Sequence, residues 1–261
     1  MPLFAFTEQF DIPLLLVFLF FIFFLGLVYY LRSEDKREGY PLESDRTRGT
    51  GGRMQVVGFP PMPSPKTFLR SNGTVQLAPR PAREREINAI PAYEFPGAPL
   101  LPLGDPLVDG IGPASYALKE DVPDLTYEGT LKIAPMRSNP QYRIAAGDPD
   151  LVGMAVVASD GRVVGTVVDI WLNAAEYFIR YLEVETNLEA GGRRILEPIS
   201  FADIRSPQRA VHFGSLTLDQ FGRVPGLASP DQITLLEEDR LNGYFAGGYL
   251  YAGTSEKGFL A

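Results

Sequence analysis

The sequence of 261 residues has no cysteine and a single histidine, His212. Without cysteine the chain can form no disulfide, no thiol nucleophile and no cysteine metal site. A Ser-His-Asp triad would have to use His212, which lies in the apolar stretch AVHF without any nucleophile-elbow pattern around it. The HExxH and calcium-loop motifs are also missing. We therefore expect no catalytic residue and no metal site, and the sequence predicts a protein that is not an enzyme by itself.

The sequence also lacks a surplus of basic residues, because 24 lysines and arginines stand against 32 acidic residues and give a net charge of −8. Binding to nucleic acid depends largely on positive charge that neutralises phosphates. We therefore expect no nucleic acid among the partners of this chain.

Charged residues are absent from residues 12–31, IPLLLVFLFFIFFLGLVYYL. As a helix, this run covers about 30 Å, which is the thickness of the hydrocarbon layer of a bilayer. Asp11 stands at the N-cap position and Pro13 falls in the first turn. Tyr29 and Tyr30 stand at the far end, where aromatic rings favour the membrane interface. The run is predicted to be a membrane-spanning helix, not a cleaved signal peptide, because no basic residue precedes it.

Basic residues follow this run but do not precede it. Residues 1–11 contain none, whereas Arg32 closes the span at residues 12–32 and four more follow closely: Lys36, Arg37, Arg46 and Arg48. The positive-inside rule then places the N-terminus outside and the rest of the chain in the cytoplasm. The same cluster could contact anionic lipid headgroups.

Residues 33–130 contain 14 of the 23 prolines and show no sustained helical or strand period. The segment nevertheless keeps apolar residues throughout, such as Phe59, Phe68 and Leu101, in which a disordered linker is usually poor. We expect an extended, proline-rich segment that lies on the surface of partner subunits.

Short strands separated by polar turns characterise residues 131–228. Residues 163–172, VVGTVVDIWL, are apolar on both faces, and residues 177–186 alternate in part. Further short strands are predicted within residues 153–158, 194–198, 202–204 and 210–213. Their spacing predicts a mainly-β domain in the form of a small antiparallel barrel or sandwich.

A C-terminal helix is predicted within residues 229–261. Thr234 and Glu237 have the spacing of a capping box, and an apolar stripe follows them. Gly247 and Gly248 are expected to end or interrupt this helix.

Arg180 is an unusual residue, because it shares strand parity with Phe178, Leu182 and Val184 and so falls on an apolar face. A charge in such a place needs a partner, and Glu176 has the same parity about 7 Å along the strand. Two interpretations stay open. The residues form a surface pair at a strand end, or Glu176 is a carboxylate in a partly buried pocket, where burial raises its pKa and the arginine lowers it.

The order of several motifs resembles the H subunit of the photosynthetic reaction centre of purple bacteria, a PRC-barrel family, over nearly the whole chain. The first of these motifs are YYLR at residues 29–32, EDKREGYPLE at 34–43, PKTF at 65–68 and GDPLVDGIGPASY at 104–116. The others are KIAPM at 132–136, GTVVDIW at 165–171, RYLEVE at 180–185, DQITLLEED at 231–239 and YFAGGYLYA at 244–252. The resemblance implies one membrane helix and a cytoplasmic PRC-barrel domain, in the cell inner (intracytoplasmic) membrane with a periplasmic N-terminus.

The resemblance also implies a role. A subunit of this family carries no pigment of its own, stabilises the L and M subunits, shields the quinone sites and helps protons to reach the secondary quinone. The complex would carry bacteriochlorophyll, bacteriopheophytin, quinones and non-haem iron, none of them bound by this chain alone. A cytochrome subunit, the light-harvesting antenna and membrane lipids are further candidate partners. The alternative is a membrane-tethered PRC-barrel adaptor unrelated to photosynthesis.

Five residues follow from the resemblance as candidates for proton transfer. Glu176 takes the place of a family glutamate below the secondary quinone, with Arg180 beside it. Asn173 stands where the family has an aspartate, and an amide cannot carry a proton as a carboxylate can. Histidines that some members have just before residue 132 are missing here, so Asp124 and Glu128 are the expected substitutes at the proton entrance.

Overall fold

The computed structural model of the chain describes residues 5–7, 10–44, 54–70, 73–80, 85–95, 97–188 and 192–252. Arg46 and Arg48 of the basic cluster and the tail at 253–261 lie outside these ranges. The chain divides into two compact units. The first unit comprises residues 1–82 with 95–97, and the second comprises residues 83–94 with 98–261.

Helix α1, Ile12–Asp35, is the main element of the first unit. It begins at Asp11, whose side chain accepts a hydrogen bond from the Leu14 N–H at 3.4 Å, and Pro13 lies in the first turn. Within the described ranges it is the one helix long and apolar enough to cross a membrane, with a mean hydropathy of 2.8 and none of that window buried. The predicted N-terminal helix is confirmed, and it continues three residues past Arg32.

Two of the basic residues after the span have partners inside the first unit. Lys36 is only 5% exposed, and Arg37 forms an ion pair of 2.8 Å with Glu34. Their charges are therefore less available to lipid headgroups than the sequence alone suggested.

The remaining described strands before residue 103 form two-stranded antiparallel hairpins. The strands are β1 (Ala5–Thr7) paired with β2 (Phe10–Asp11), β3 (Leu42–Ser44) with β4 (Met54–Val56), β5 (Lys66–Leu69) with β6 (Val75–Ala78), and β7 (Ala89–Pro91) with β8 (Leu100–Pro102). The first three pairs belong to the first unit and the last pair to the second.

The second unit is built on one curled sheet of seven strands. These are β9 (Ile133–Pro135), β10 (Ala155–Val157), β11 (Val163–Asn173), β12 (Phe178–Thr186), β13 (Arg193–Pro198), β14 (Ala202–Arg205) and β15 (Ala210–Phe213). The order is β13-β12-β11-β10-β15-β14, with β9 paired to β11. The sheet forms a half-barrel, as the family resemblance implied, and the predicted strands are confirmed.

One pair departs from the predicted antiparallel arrangement, because β10 and β15 run parallel. The chain reaches β15 through an antiparallel hairpin from β14, which leaves β15 running in the direction of β10. The barrel is therefore mixed and not wholly antiparallel.

The core of the second unit lies between the sheet and two helices, α2 (Leu218–Phe221) and α3 (Leu235–Tyr251). Phe245 of α3 packs edge-on against Phe213 and Phe221, with ring centroids 5.8 and 5.9 Å apart. Burying a side chain of this kind contributes about 1.5–3 kcal/mol.

The start of α3 has the predicted capping box. The Thr234 hydroxyl accepts from the Glu237 N–H at 3.2 Å, and the Glu237 carboxylate accepts from the Thr234 N–H at 2.8 Å. Two otherwise unpaired N–H groups are thereby satisfied at the first turn.

The expectation that Gly247 and Gly248 end or interrupt α3 is wrong, because the helix continues through both to Tyr251. A Cβ at Gly247 would lie 2.5 Å from the Cβ of Ala114, and one at Gly248 would lie 2.0 Å from the carbonyl oxygen of Ser215. The glycines allow the helix to touch neighbouring chain, and they do not break it.

Part of the proline-rich region also belongs to the second unit. Leu107, Ile111 and Ala114 are buried there, and Ala114 lies in a short 3₁₀ turn, Gly112–Ala114, that packs on α3. The second unit thus includes residues well before 131, since this turn packs directly against Gly247 of α3.

Candidate functional site

A polar cleft of about 220 Å³ lies in the second unit, lined by residues of β9, of the β11–β12 turn, of β12 and of the start of α3. Seven charged residues line it: the bases Lys119, Lys132 and Arg180 and the acids Asp124, Glu176, Glu238 and Asp239. Such a concentration of titratable groups in a cleft is typical of sites that handle protons or ligands.

The β11–β12 turn positions Glu176. Asn173 is 4% exposed, and its side-chain oxygen accepts hydrogen bonds from the N–H groups of Ala175 at 3.0 Å and Glu176 at 3.1 Å. Tyr177 then adopts a left-handed backbone with φ 57°, and β12 begins. Asn173 therefore has a positioning role, for which an amide oxygen serves as well as a carboxylate oxygen.

Lys132 connects two of the predicted acids. Its Nζ lies 3.2 Å from Asp124 Oδ2 and 3.8 Å from Glu176 Oε1. The Ala174 N–H donates to the Lys132 carbonyl at 2.8 Å, which holds the lysine beside the turn. Lys132 is not among the predicted site residues, although it opens the KIAPM motif, because only the fold brings it beside Glu176.

The expected pairing of Arg180 with Glu176 is corrected by the structure. Trp171 pairs with Tyr181 and Leu172 with Ile179, so Arg180 is the extra residue of a β-bulge. The bulge and the turn before it break the parity on which the pairing depended. Arg180 Nε instead lies 3.8 Å from Glu238 Oε2. Arg180 and Glu176 nevertheless line the same cleft.

Glu238 is the most enclosed carboxylate of the cleft, with 13% of its side chain exposed against 56% for Glu176. Its Oε2 accepts a hydrogen bond from the Tyr181 hydroxyl at 3.0 Å. Burial raises the pKa of Glu238 above its ordinary value and outweighs the hydrogen bond from Tyr181 and the charge of Arg180, which both lower it. Local sequence gives no sign of this burial, because acids in a first helical turn are usual.

Lys119 and Asp239 form a further ion pair in the cleft, with Nζ 2.7 Å from Oδ1. Asp239 is partly buried in this pair, whereas Lys119 is exposed. Each of the three basic residues that line the cleft therefore lies beside an acidic residue.

Glu128 is the one predicted site residue outside the cleft. It is exposed at the tip of a turn in which the hydroxyls of Thr126 and Thr130 are 2.8 Å apart. The structure thus brings together four of the five predicted residues: Asn173, Glu176, Arg180 and Asp124. Within the described ranges, no cluster of three or more histidine, aspartate or glutamate residues could hold a metal ion.

Two family models match the chain. Residues 4–138 match the model described as photosynthetic reaction centre, H-chain N-terminal region. Residues 145–213 match the PRC-barrel domain, which is the part of the chain that forms most of the curled sheet. The first match covers slightly more than half of the 261 residues.

Proposed function

This chain belongs to the family of photosynthetic reaction centre H chains, and from that premise we propose that it stabilises the L and M subunits, shields the quinone sites and conveys protons toward the secondary quinone. The family implies a structural subunit that associates with L and M in a complex with pigments and quinones. The observation that supports proton transfer best is the cleft, in which exposed and enclosed carboxylates lie side by side.

An apolar surface in the first unit supports contact with partner subunits. Leu69, Val75 and Leu77, which share one face of the β5–β6 hairpin, are exposed by 50% to 76%. Grouped apolar side chains that remain exposed in one chain usually mark an interaction surface. An adaptor unrelated to photosynthesis would not account for the H-chain match at residues 4–138.

We assign a different role in proton uptake to each group of residues in the cleft. Two protons must reach the secondary quinone, held by the partner subunits, when it is fully reduced. Glu176 and Asp124 lie at the water-exposed side of the cleft, where the relay begins, and the Lys132 ammonium holds both carboxylates in place. We assign Glu238 to the enclosed part of the relay, because burial raises its pKa above the ordinary value of a glutamate and so favours proton exchange there. Arg180 and Tyr181 fix its Oε2.

The test is flash-induced electron transfer in assembled complexes that carry Glu176→Gln or Glu238→Gln. We expect the second, proton-coupled electron transfer to the secondary quinone to slow by about tenfold or more, less than for a sole proton donor because other carboxylates remain. The initial charge separation should not change, since the family's pigments belong to other subunits.

Glu185→Gln is the matched control, because it makes the same chemical change at an exposed carboxylate of β12 that does not line the cleft. Its second-electron rate should equal that of the parent complex. If both cleft variants assemble normally and keep the parent rate across about pH 6 to 9, the proposed relay is wrong.

A further inference from the structure

The side chain of Lys36 occupies a cage of backbone carbonyls at the end of α1. Its Nζ donates to the carbonyl oxygens of Val57 at 2.6 Å, Gly58 at 3.1 Å and Pro60. The Tyr40 ring centroid lies 5.4 Å from the same nitrogen. Lys36 is 5% exposed, so its charge is compensated by these carbonyl dipoles and the ring.

This cage fixes a loop in which the side chain of Phe59 points outward. Phe59 lies between the caged carbonyls of Gly58 and Pro60, and it is 85% exposed. Gly58 has φ 65°, in the left-handed region that glycine adopts without strain, which lets the loop turn around the ammonium. Backbone carbonyls of the loop therefore bind Lys36, and the aromatic ring of Phe59 is exposed.

The Phe59 ring lies beside the aromatic end of the membrane helix. Its centroid is 5.8 Å from that of Tyr29. Tyr29 follows Ile12, the first helical residue, by about 26 Å along α1, near the end of a hydrocarbon layer about 30 Å thick. Tyr29 and Tyr30 are themselves 48% and 53% exposed.

We propose that residues 57–60 form a second membrane-interface anchor, in which Lys36 presents Phe59 to the lipid headgroup layer. The bilayer interface is the occupant because Phe59 packs on Tyr29 of the aromatic belt of α1, and phenylalanine side chains of interfacial segments insert at the boundary between headgroups and acyl chains. Lys36 also satisfies carbonyls of this loop within the chain, so the loop can approach the edge of the hydrocarbon layer without leaving these groups unpaired. The proposal depends on α1 crossing the membrane and not on proton transfer.

The chain has no cysteine, so Phe59→Cys allows one fluorescent label at this position. The labelled full chain is assembled with its partner subunits in phosphatidylcholine bilayers. Emission is measured with a water-soluble quencher and with lipids brominated in the upper part of the acyl chains. We expect the brominated lipids to reduce the emission by about twofold or more, and the aqueous quencher to act weakly.

A label at Tyr127, which is 96% exposed in the second unit, is the control for the aqueous quencher in the chain before assembly. Strong aqueous quenching of the label at residue 59 in the complex would overturn the proposal. Protection from both quenchers in the complex, with exposure before assembly, would also overturn it and would assign the ring to a protein partner.

Lys36 is tested in the same labelled chain. Lys36→Met keeps the length of the side chain but removes the ammonium, so the label should lose most of its lipid quenching. Lys36→Arg keeps the charge and the donors and should retain more of it, which distinguishes loss of the cage from loss of folding. Unchanged lipid quenching in Lys36→Met would overturn the role given to Lys36.

Discussion

Replacing Glu197 by glutamine should flatten the dependence of the second unit's stability on pH. Glu197 lies on β13 with 0% of its surface exposed. Across the sheet it pairs with Leu182, which pairs with Ile170, so the carboxyl shares a row with two buried apolar side chains. In the described part of the chain neither of its oxygens has a hydrogen-bond partner. Burial alone raises the pKa of Glu197 well above its ordinary value.

The direction of this pH dependence follows from whether the folded or the unfolded state binds the proton more tightly. The unfolded chain ionises this group near pH 4.5, whereas the folded unit keeps it protonated up to the raised pKa. Between these two pKa values the folded state binds one more proton, so the free energy of unfolding falls as pH rises, by about 1.4 kcal/mol per pH unit. This contribution is complete below the unfolded pKa and is lost as pH rises through the folded one. Glutamine does not titrate, so from about pH 5.5 up to the raised pKa the variant should gain about 1.4 kcal/mol per pH unit relative to the parent.

Denaturant unfolding of the full chain in detergent measures this difference. Trp171 is the single tryptophan and is fully buried in the second unit, so its fluorescence reports the transition. Glu185→Gln is the matched control, because Glu185 lies on the neighbouring strand β12 with its side chain exposed. If Glu197→Gln and the parent lose stability in parallel over this pH range, Glu197 is not held as a neutral acid and the reasoning fails.

Two further outcomes are expected. Gly248→Ala should destabilise the second unit by about 1–3 kcal/mol in thermal unfolding, because the added Cβ would lie 2.0 Å from the Ser215 carbonyl oxygen. Gly214→Ala is the control and should be nearly neutral, because a Cβ there has open space. Equal effects of the two substitutions would contradict the packing role of Gly248. Protease added to the cytoplasmic face of inside-out vesicles should digest residues after the span, since the nearby bases follow α1, and digestion from the periplasmic face alone would reverse the proposed orientation.

Elements that depend on neighbours in sequence could be predicted from the sequence. The membrane helix follows from a run of uncharged residues, and the start of α3 follows from Thr234 and Glu237, whose side chains bond to backbone only three residues away. The strands β11 and β12 follow from apolar and alternating patterns, because side chains on a strand alternate between two faces. The motifs of the H-chain family gave the candidate residues for the site.

Partners that come from distant parts of the chain were decided by the tertiary structure. Arg180 contacts Glu238 because a bulge shifts one strand against the next, and Lys132 reaches Glu176 because β9 pairs beside the turn. The two glycines of α3 are compatible with a helix end until the chain that packs against them is known. Glu197 likewise has no local sign of burial, since a carboxylate next to a leucine and a proline is compatible with either face. Local patterns set which face or turn a residue occupies, whereas the contact energies that fix its partner and its pKa arise between segments that only folding brings together.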